Sequence, residues 1–259
     1  MKQRILTAII ALIIFIPLVV AGGVWIQVTG IALGLIAFAE ILIMKKRMIL
    51  SMEALISYVG VILLIAPNNW LPSNTNVTFT LYLIVILLLL RSVFSKNHVS
   101  FDDIGTMVLG IMYVGYGFHY FISARTVGLD ILFYALLIVW ITDSGAYFFG
   151  RQFGKHKLAP SISPNKTWEG SIGGSLFATI ICVIYISFFP IPGYSLVTMI
   201  IITLILSIFG QIGDLVESSI KRFYGVKDSG KILPGHGGIL DRFDSLLFVL
   251  PLLHLFQII

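Results

Sequence analysis

Residues Ser218–Asp244 read SSIKRFYGVKDSGKILPGHGGILDRFD, the longest polar, glycine-rich run in a chain that is otherwise mostly apolar. The run carries five of the seventeen Lys and Arg residues. Hydrophobic segments flank it on both sides, so it falls where lipid gives way to water. A chain that keeps such a stretch at that boundary is expected to do chemistry there, with the remaining segments as its scaffold.

Composition fixes the class. Apolar residues make up 58% of the 259 positions and charged residues 11%, against about 25% charged in an ordinary soluble domain. So few charges cannot cover a water-facing surface of this size, and the pattern predicts an all-α polytopic membrane protein. The formal net charge of +5 follows membrane topology and does not mark a nucleic-acid surface. Cys182 is the one cysteine, which excludes an intrachain disulfide and a thiolate metal site.

A spanning helix needs about 20 mostly apolar residues. Nine segments qualify, near residues 5–20, 24–44, 48–66, 77–90, 104–122, 129–142, 170–189, 195–212 and 243–259. The first follows Lys2 and Arg4 and is similar to a signal peptide, but the second follows at once, so the first is expected to be retained. With the N-terminus in the cytoplasm and the C-terminus outside, the positive-inside rule is met by sixteen of the seventeen Lys and Arg residues, Arg125 being the exception. The reading is one integral membrane domain, 1–259, with scaffold spans in 1–125 and catalytic spans in 126–259. Its two large polar loops, 150–169 and 218–244, face the cytoplasm.

Three features carry candidate chemistry. Asp241 and Asp244 stand at i, i+3 in D-R-F-D, so a continuous helix puts both carboxylates on one face. Such a pair suits Mg²⁺, which takes oxygen ligands together with substrate phosphates; a helix-capping role for the same two residues stays open. The preceding Pro234-Gly235-His236-Gly237-Gly238 lets backbone N–H groups approach phosphate oxygens. Asp214, at the end of the eighth segment, is costly there unless partnered. It shares a helix face with Ser218 and is either a third metal carboxylate or a solvated acid. Glu217 reads as a surface partner of Lys221.

The third feature is the loop Ser161–Gly170. Lys166 is a candidate phosphate ligand, with Ser163, Asn165 and Thr167 as hydrogen-bonding neighbours. The same loop also reads as an interfacial turn with Thr167 as helix cap and small residues for close helix packing. Asp143 is either functional or one half of a structural ion pair. His236 is the one histidine placed among glycines.

The elements S-x-I-K-R, K-D-S-G, P-G-H-G-G and D-R-F-D, in register over Ser218–Asp244, resemble the signature of phosphatidate cytidylyltransferases, the CDP-diacylglycerol synthases. Asp143–Arg151 and the Ser161–Gly170 loop resemble that family too, so the likeness covers about residue 143 to the C-terminus. The resemblance implies transfer of a cytidylyl group from CTP to phosphatidic acid in a lipid bilayer, releasing pyrophosphate, with Mg²⁺ and a monovalent cation such as K⁺. It implies Asp214, Asp241 and Asp244 as the acidic metal set. It implies phosphate binding by Lys166, Ser163, Thr167, Lys221, Arg222, Lys227 and Lys231. Asn165, Ser218, Asp228, His236, Gly237, Gly238 and Arg242 complete the expected substrate contacts.

Both reactants are polyanions, so a cationic site is needed, and phosphoryl-type transfer rests on positioning and charge stabilisation. The nucleophile is already ionised near neutral pH, which matches the lack of an obvious Ser-His-Asp or Cys-His set. Two other readings stand beside this one. A related enzyme could act on another lipid phosphate, as CDP-archaeol synthases do. A transporter would line a path through several spans with polar residues, whereas here the charges gather at one face. A homodimer is suggested by the family and by Gly170 and Gly174, which permit close helix contact. The expected location is the plasma (inner) membrane, with the site facing the cytoplasm.

Overall fold

A computed structural model describes residues 2–96 and 98–259 of the chain. The helices are α1 (Lys2–Ala21), α2 (Gly23–Met44), α3 (Met52–Ile65), α4 (Val77–Phe94), α5 (Phe101–Val127), α6 (Leu129–Phe153), α7 (Trp168–Phe188), α8 (Leu196–Phe223), α9 (Leu240–Phe243) and α10 (Leu246–Leu255). A short antiparallel hairpin, β1 (Lys157–Ala159) and β2 (Ser163–Thr167), stands between α6 and α7. Among the described residues, six helices, α2 and α4 to α8, are long and apolar enough to cross a membrane, while Ile9–Ala21, Met52–Ile65 and Leu246–Leu255 are apolar but shorter. Large apolar side chains such as Val93 and Phe188 stand exposed along the helices, as lipid-facing residues do. The protein is thus a multi-pass membrane protein by composition and helix length.

The helix boundaries follow local chemistry. Gly22 and Gly23 adopt positive φ and break α1 from α2. Ser51, Asn76 and Ser195 cap α3, α4 and α8 through side-chain oxygens, satisfying N–H groups that the first turn leaves without partners.

The chain divides into two compact units, Met1–Ile122 with Asp228–Asp241, and Ser123–Lys227 with Arg242–Ile259. In the first, glycines on α2 and α5 admit large neighbours: Gly34 meets Ile65 and Phe118, and Gly115 meets Leu64. Phe38, Leu88, Val114, Phe118 and Phe121 are fully buried there. Arg47 and Lys45 both pair with Asp103 at the start of α5.

In the second unit, α6 and α7 touch backbone to backbone. A Cβ on Gly174 would lie 2.6 Å from the Thr142 carbonyl oxygen, and one on Gly170 would lie 2.6 Å from that of Ala146. These two glycines therefore serve a contact within one chain. Beside them runs a buried hydroxyl ladder. Tyr134 Oη is 2.7 Å from Thr203 Oγ1, Thr142 Oγ1 is 2.7 Å from Ser207 Oγ, and Ser207 donates to Ser175 at 2.9 Å. Gln211 Nε2 closes the ladder on Ser175 Oγ at 2.8 Å. Hydrogen bonding of this kind is how helices in lipid retain polar side chains.

One local expectation changes. The D-R-F-D segment does not start a continuous helix: α9 ends at Phe243, Asp244 and Ser245 form a turn, and the apolar helix begins only at Leu246. Asp244 therefore stands ahead of the apolar helix, and the i, i+3 argument for a shared face does not apply to it.

Candidate active site

The site features of the second unit are assembled by the hairpin, α7, α8 and the α9–α10 turn. Thr167 ends β2 and caps α7, its Oγ1 accepting from Gly170 N at 3.2 Å. Of the two readings for this residue, the cap is the one observed. Glu169, in the first turn of α7, accepts from the backbone N–H of Lys155 and His156 and pairs with His156 Nδ1 at 2.6 Å. The hairpin is thereby held against the helix start. Arg222 ties it from the other side, donating to the Ile162 carbonyl at 3.2 Å and the Val226 carbonyl at 3.3 Å.

Held in this way, β2 directs Lys166 to α8, where its Nζ lies 2.6 Å from Asp214 Oδ2. Asp214 Oδ1 accepts from Ser218 Oγ at 3.3 Å, the i, i+4 contact expected on that helix. The next turn of α8 holds Glu217, fully buried and paired with Lys221, so this acid is not the surface residue the spacing suggests. Gly213 brings α8 against the α9–α10 turn: a Cβ there would lie 2.8 Å from the Asp244 carbonyl oxygen and 2.9 Å from Phe248. Asp214 and Asp244 consequently act on one another as like charges. Asp143, on α6, feels Asp214 as a like charge and Lys166 and Arg242 as opposite ones. Burial, with Asp214 beside it, pushes the Asp244 carboxyl up to about 7, because both factors disfavour the charged form.

The donor set bears on a divalent cation. Among the described residues, no three His, Cys, Asp or Glu side chains are grouped to hold a metal ion. Mg²⁺, however, ordinarily takes one or two carboxylates and completes its octahedron with substrate phosphate and water. Asp214 and Asp244, mutually repelling carboxylates next to cationic Lys166 and Lys221, have the chemistry for that use.

The signature's glycine turn belongs to the first unit and is built differently. Leu233 N donates to Gly237 O at 3.0 Å and His236 N to Leu233 O at 2.8 Å, with Gly235 and Gly237 at φ 77° and 86°. Asp241 Oδ2 accepts from Gly238 N and Ser229 N, each at 2.8 Å, and lies 2.9 Å from Ser229 Oγ. A Cβ on Gly237 would lie 2.5 Å from that same oxygen, so the position needs glycine for both its φ and its space. Glu40 of α2 accepts from Ile239 N and Leu240 N, each at 2.8 Å. The Gly238 amide, in the stretch expected to approach phosphate, and the two amides after it thus point to the protein's own carboxylates. Lys227, Asp228, Lys231 and Arg242 are exposed, as is Asn165, while Ser163 and His236 are half-buried.

Glu40 is the residue that sequence reasoning missed. The available signal was an acid in an otherwise uncharged apolar helix, which in a membrane protein marks a functional position by default.

Within the second unit, a hairpin-borne lysine on a helix-borne aspartate, with a second acid alongside, gives a membrane protein paired charges suited to phosphate chemistry. Residues 2–259 match the model of the cytidylyltransferase family, and the chain belongs to that family. It is similar to the phosphatidate cytidylyltransferase of Staphylococcus haemolyticus, 49% identical over 261 residues spanning 100% of this chain and 99% of that protein. The proteins of the same name from Staphylococcus saprophyticus and Staphylococcus epidermidis are 48% and 46% identical, each over 100% of this chain and 99% of the relative.

Proposed function

We propose that this enzyme transfers the cytidylyl group of CTP to phosphatidic acid, giving CDP-diacylglycerol and pyrophosphate. The likeness to phosphatidate cytidylyltransferases over the whole length of both chains carries this reading. A phosphate oxygen of the lipid attacks the α-phosphorus of CTP, and the bond from that phosphorus to the bridging oxygen of the β-phosphate breaks. Lys166, on the rigid hairpin, is assigned to phosphate binding, and Asp214 orients its ammonium group through the 2.6 Å contact. Asp214 and Asp244 are the carboxylates assigned to Mg²⁺. When bound, Mg²⁺ supplies charge neutralisation on the triphosphate and a template for in-line displacement. Asp241, the third acid of the expected set, is assigned to the glycine turn, since its Oδ2 accepts two backbone hydrogen bonds from that loop.

The proposed location is the plasma membrane, with the hairpin and the Ser218–Asp244 stretch on the cytoplasmic side where CTP is available. The placement of Lys and Arg supports this orientation. Substrate choice is tested by offering purified protein CTP with phosphatidate or with an ether-linked isoprenoid glycerol phosphate. Turnover confined to phosphatidate supports the proposal, and preference for the isoprenoid lipid overturns it.

A further inference from the structure

Glu40 is the one charged residue in α2, and it is 3% exposed. A lone acid in an apolar helix is retained only where its carboxylate is satisfied. Here three donors satisfy it: Ile239 N and Leu240 N at 2.8 Å, and Ser229 Oγ at 3.0 Å. Ser229 is also buried, and its hydroxyl lies 2.9 Å from Asp241 Oδ2. One serine therefore stands between two carboxylates, its single proton serving Glu40 in this arrangement, and each carboxylate holds backbone N–H groups of the same loop. Gly230 and Gly238 both face the Glu40 carboxylate, where a Cβ would collide with it. A third tie comes from α1, where Thr7 Oγ1 donates to the Pro234 carbonyl at 3.0 Å.

We infer that Glu40 is a positioning residue for cytidylyl transfer: through Ser229 and the amides of Ile239 and Leu240 it fixes the glycine turn and Asp241 in their working geometry. The inference rests on the activity proposed above. The physical reason is that charge-assisted hydrogen bonds are about twice as strong as neutral ones. A carboxylate accepts from all three donors at once, whereas an amide in its place turns one NH₂ toward a donor and loses a contact.

The test uses full-length protein in lipid nanodiscs, comparing wild type with Glu40→Gln and Ser229→Ala. Glu40→Gln is expected to lower kcat by roughly 10–100-fold, the scale of a small misplacement at a reacting centre, with KM for CTP changed much less. Hydrogen exchange read on the same samples is expected to speed up at residues 238–241 alone, with α2 and α8 as protected as in wild type. Ser229→Ala is expected to move both readouts in the same direction by less, and it keeps the test decisive if Glu40→Gln does not fold. Wild-type kcat in Glu40→Gln overturns the inference, as does unchanged exchange at 238–241 or loss of protection throughout the protein. If wild type does not turn over CTP with phosphatidate, the proposed activity fails, while the exchange readout still decides whether Glu40 holds the loop.

Discussion

Lys166 Nζ lies 2.6 Å from Asp214 Oδ2, joining a two-stranded hairpin to the polar part of α8, with both side chains about one-quarter exposed. Neither group is sealed in the interior, so the pair can open to a polyanionic ligand. Lys166→Gln and Asp214→Asn are each expected to lower kcat/KM on the order of 10²–10³-fold, the range for removing one preorganised charge at a transition state. The double variant is expected to lose far less than the product of the two, as groups acting as a unit do. Steady-state kinetics on the three variants checks this.

Thr167 separates packing from chemistry. Its hydroxyl oxygen accepts from Gly170 N at 3.2 Å. Thr167→Ala is expected to destabilise the protein by about 1 kcal/mol, the usual value of a lost N-cap, and Thr167→Ser to retain wild-type stability and turnover. Denaturation midpoints in detergent, with activity on the same samples, report both effects.

The α6–α7 crossing depends on Gly174, whose added Cβ would meet the Thr142 carbonyl oxygen at 2.6 Å and Ala146 N at 2.8 Å. Backbone cannot move aside as a flexible side chain can, so Gly174→Ala is expected to cost about 1–3 kcal/mol. Gly105, in α5, has nothing within 4 Å of the same position. Gly105→Ala is expected to leave the midpoint unchanged or raise it.

Orientation is read by labelling. Lys155, next to the hairpin, and Asn74, between α3 and α4, are both exposed, and Cys182 is buried. An impermeant maleimide is expected to label Asn74→Cys in intact cells, and Lys155→Cys only after the membrane is opened. The reverse pattern contradicts a cytoplasmic site.

The helices were legible in the sequence because lipid imposes long apolar runs, and each expected segment is helical in the structure. Lys166 was legible as a cation in a polar loop, and Asp214 and Asp244 as acids at segment ends. The break at Asp244 was not, since helical spacing alone does not reveal where a chain turns between two apolar helices. Glu40 stood out as a lone acid in an apolar helix, but its pairing was out of reach for a different reason. Its partners lie 199 and 200 residues away along the chain, so local pattern carries no trace of the pairing. The Gly238 amide serves Asp241, only three residues on, and glycine content alone does not say which oxygen it serves.

The most direct test measures CDP-diacylglycerol formed from CTP and phosphatidate by the purified protein, with Mg²⁺ and with chelator, for wild type and Asp244→Ala. The account predicts product with wild type and Mg²⁺, and none with chelator. For Asp244→Ala it predicts a loss of roughly 100-fold or more in protein that remains folded. Undiminished product from Asp244→Ala would contradict the assigned carboxylates, and no product from folded wild type with Mg²⁺ would contradict the reaction itself.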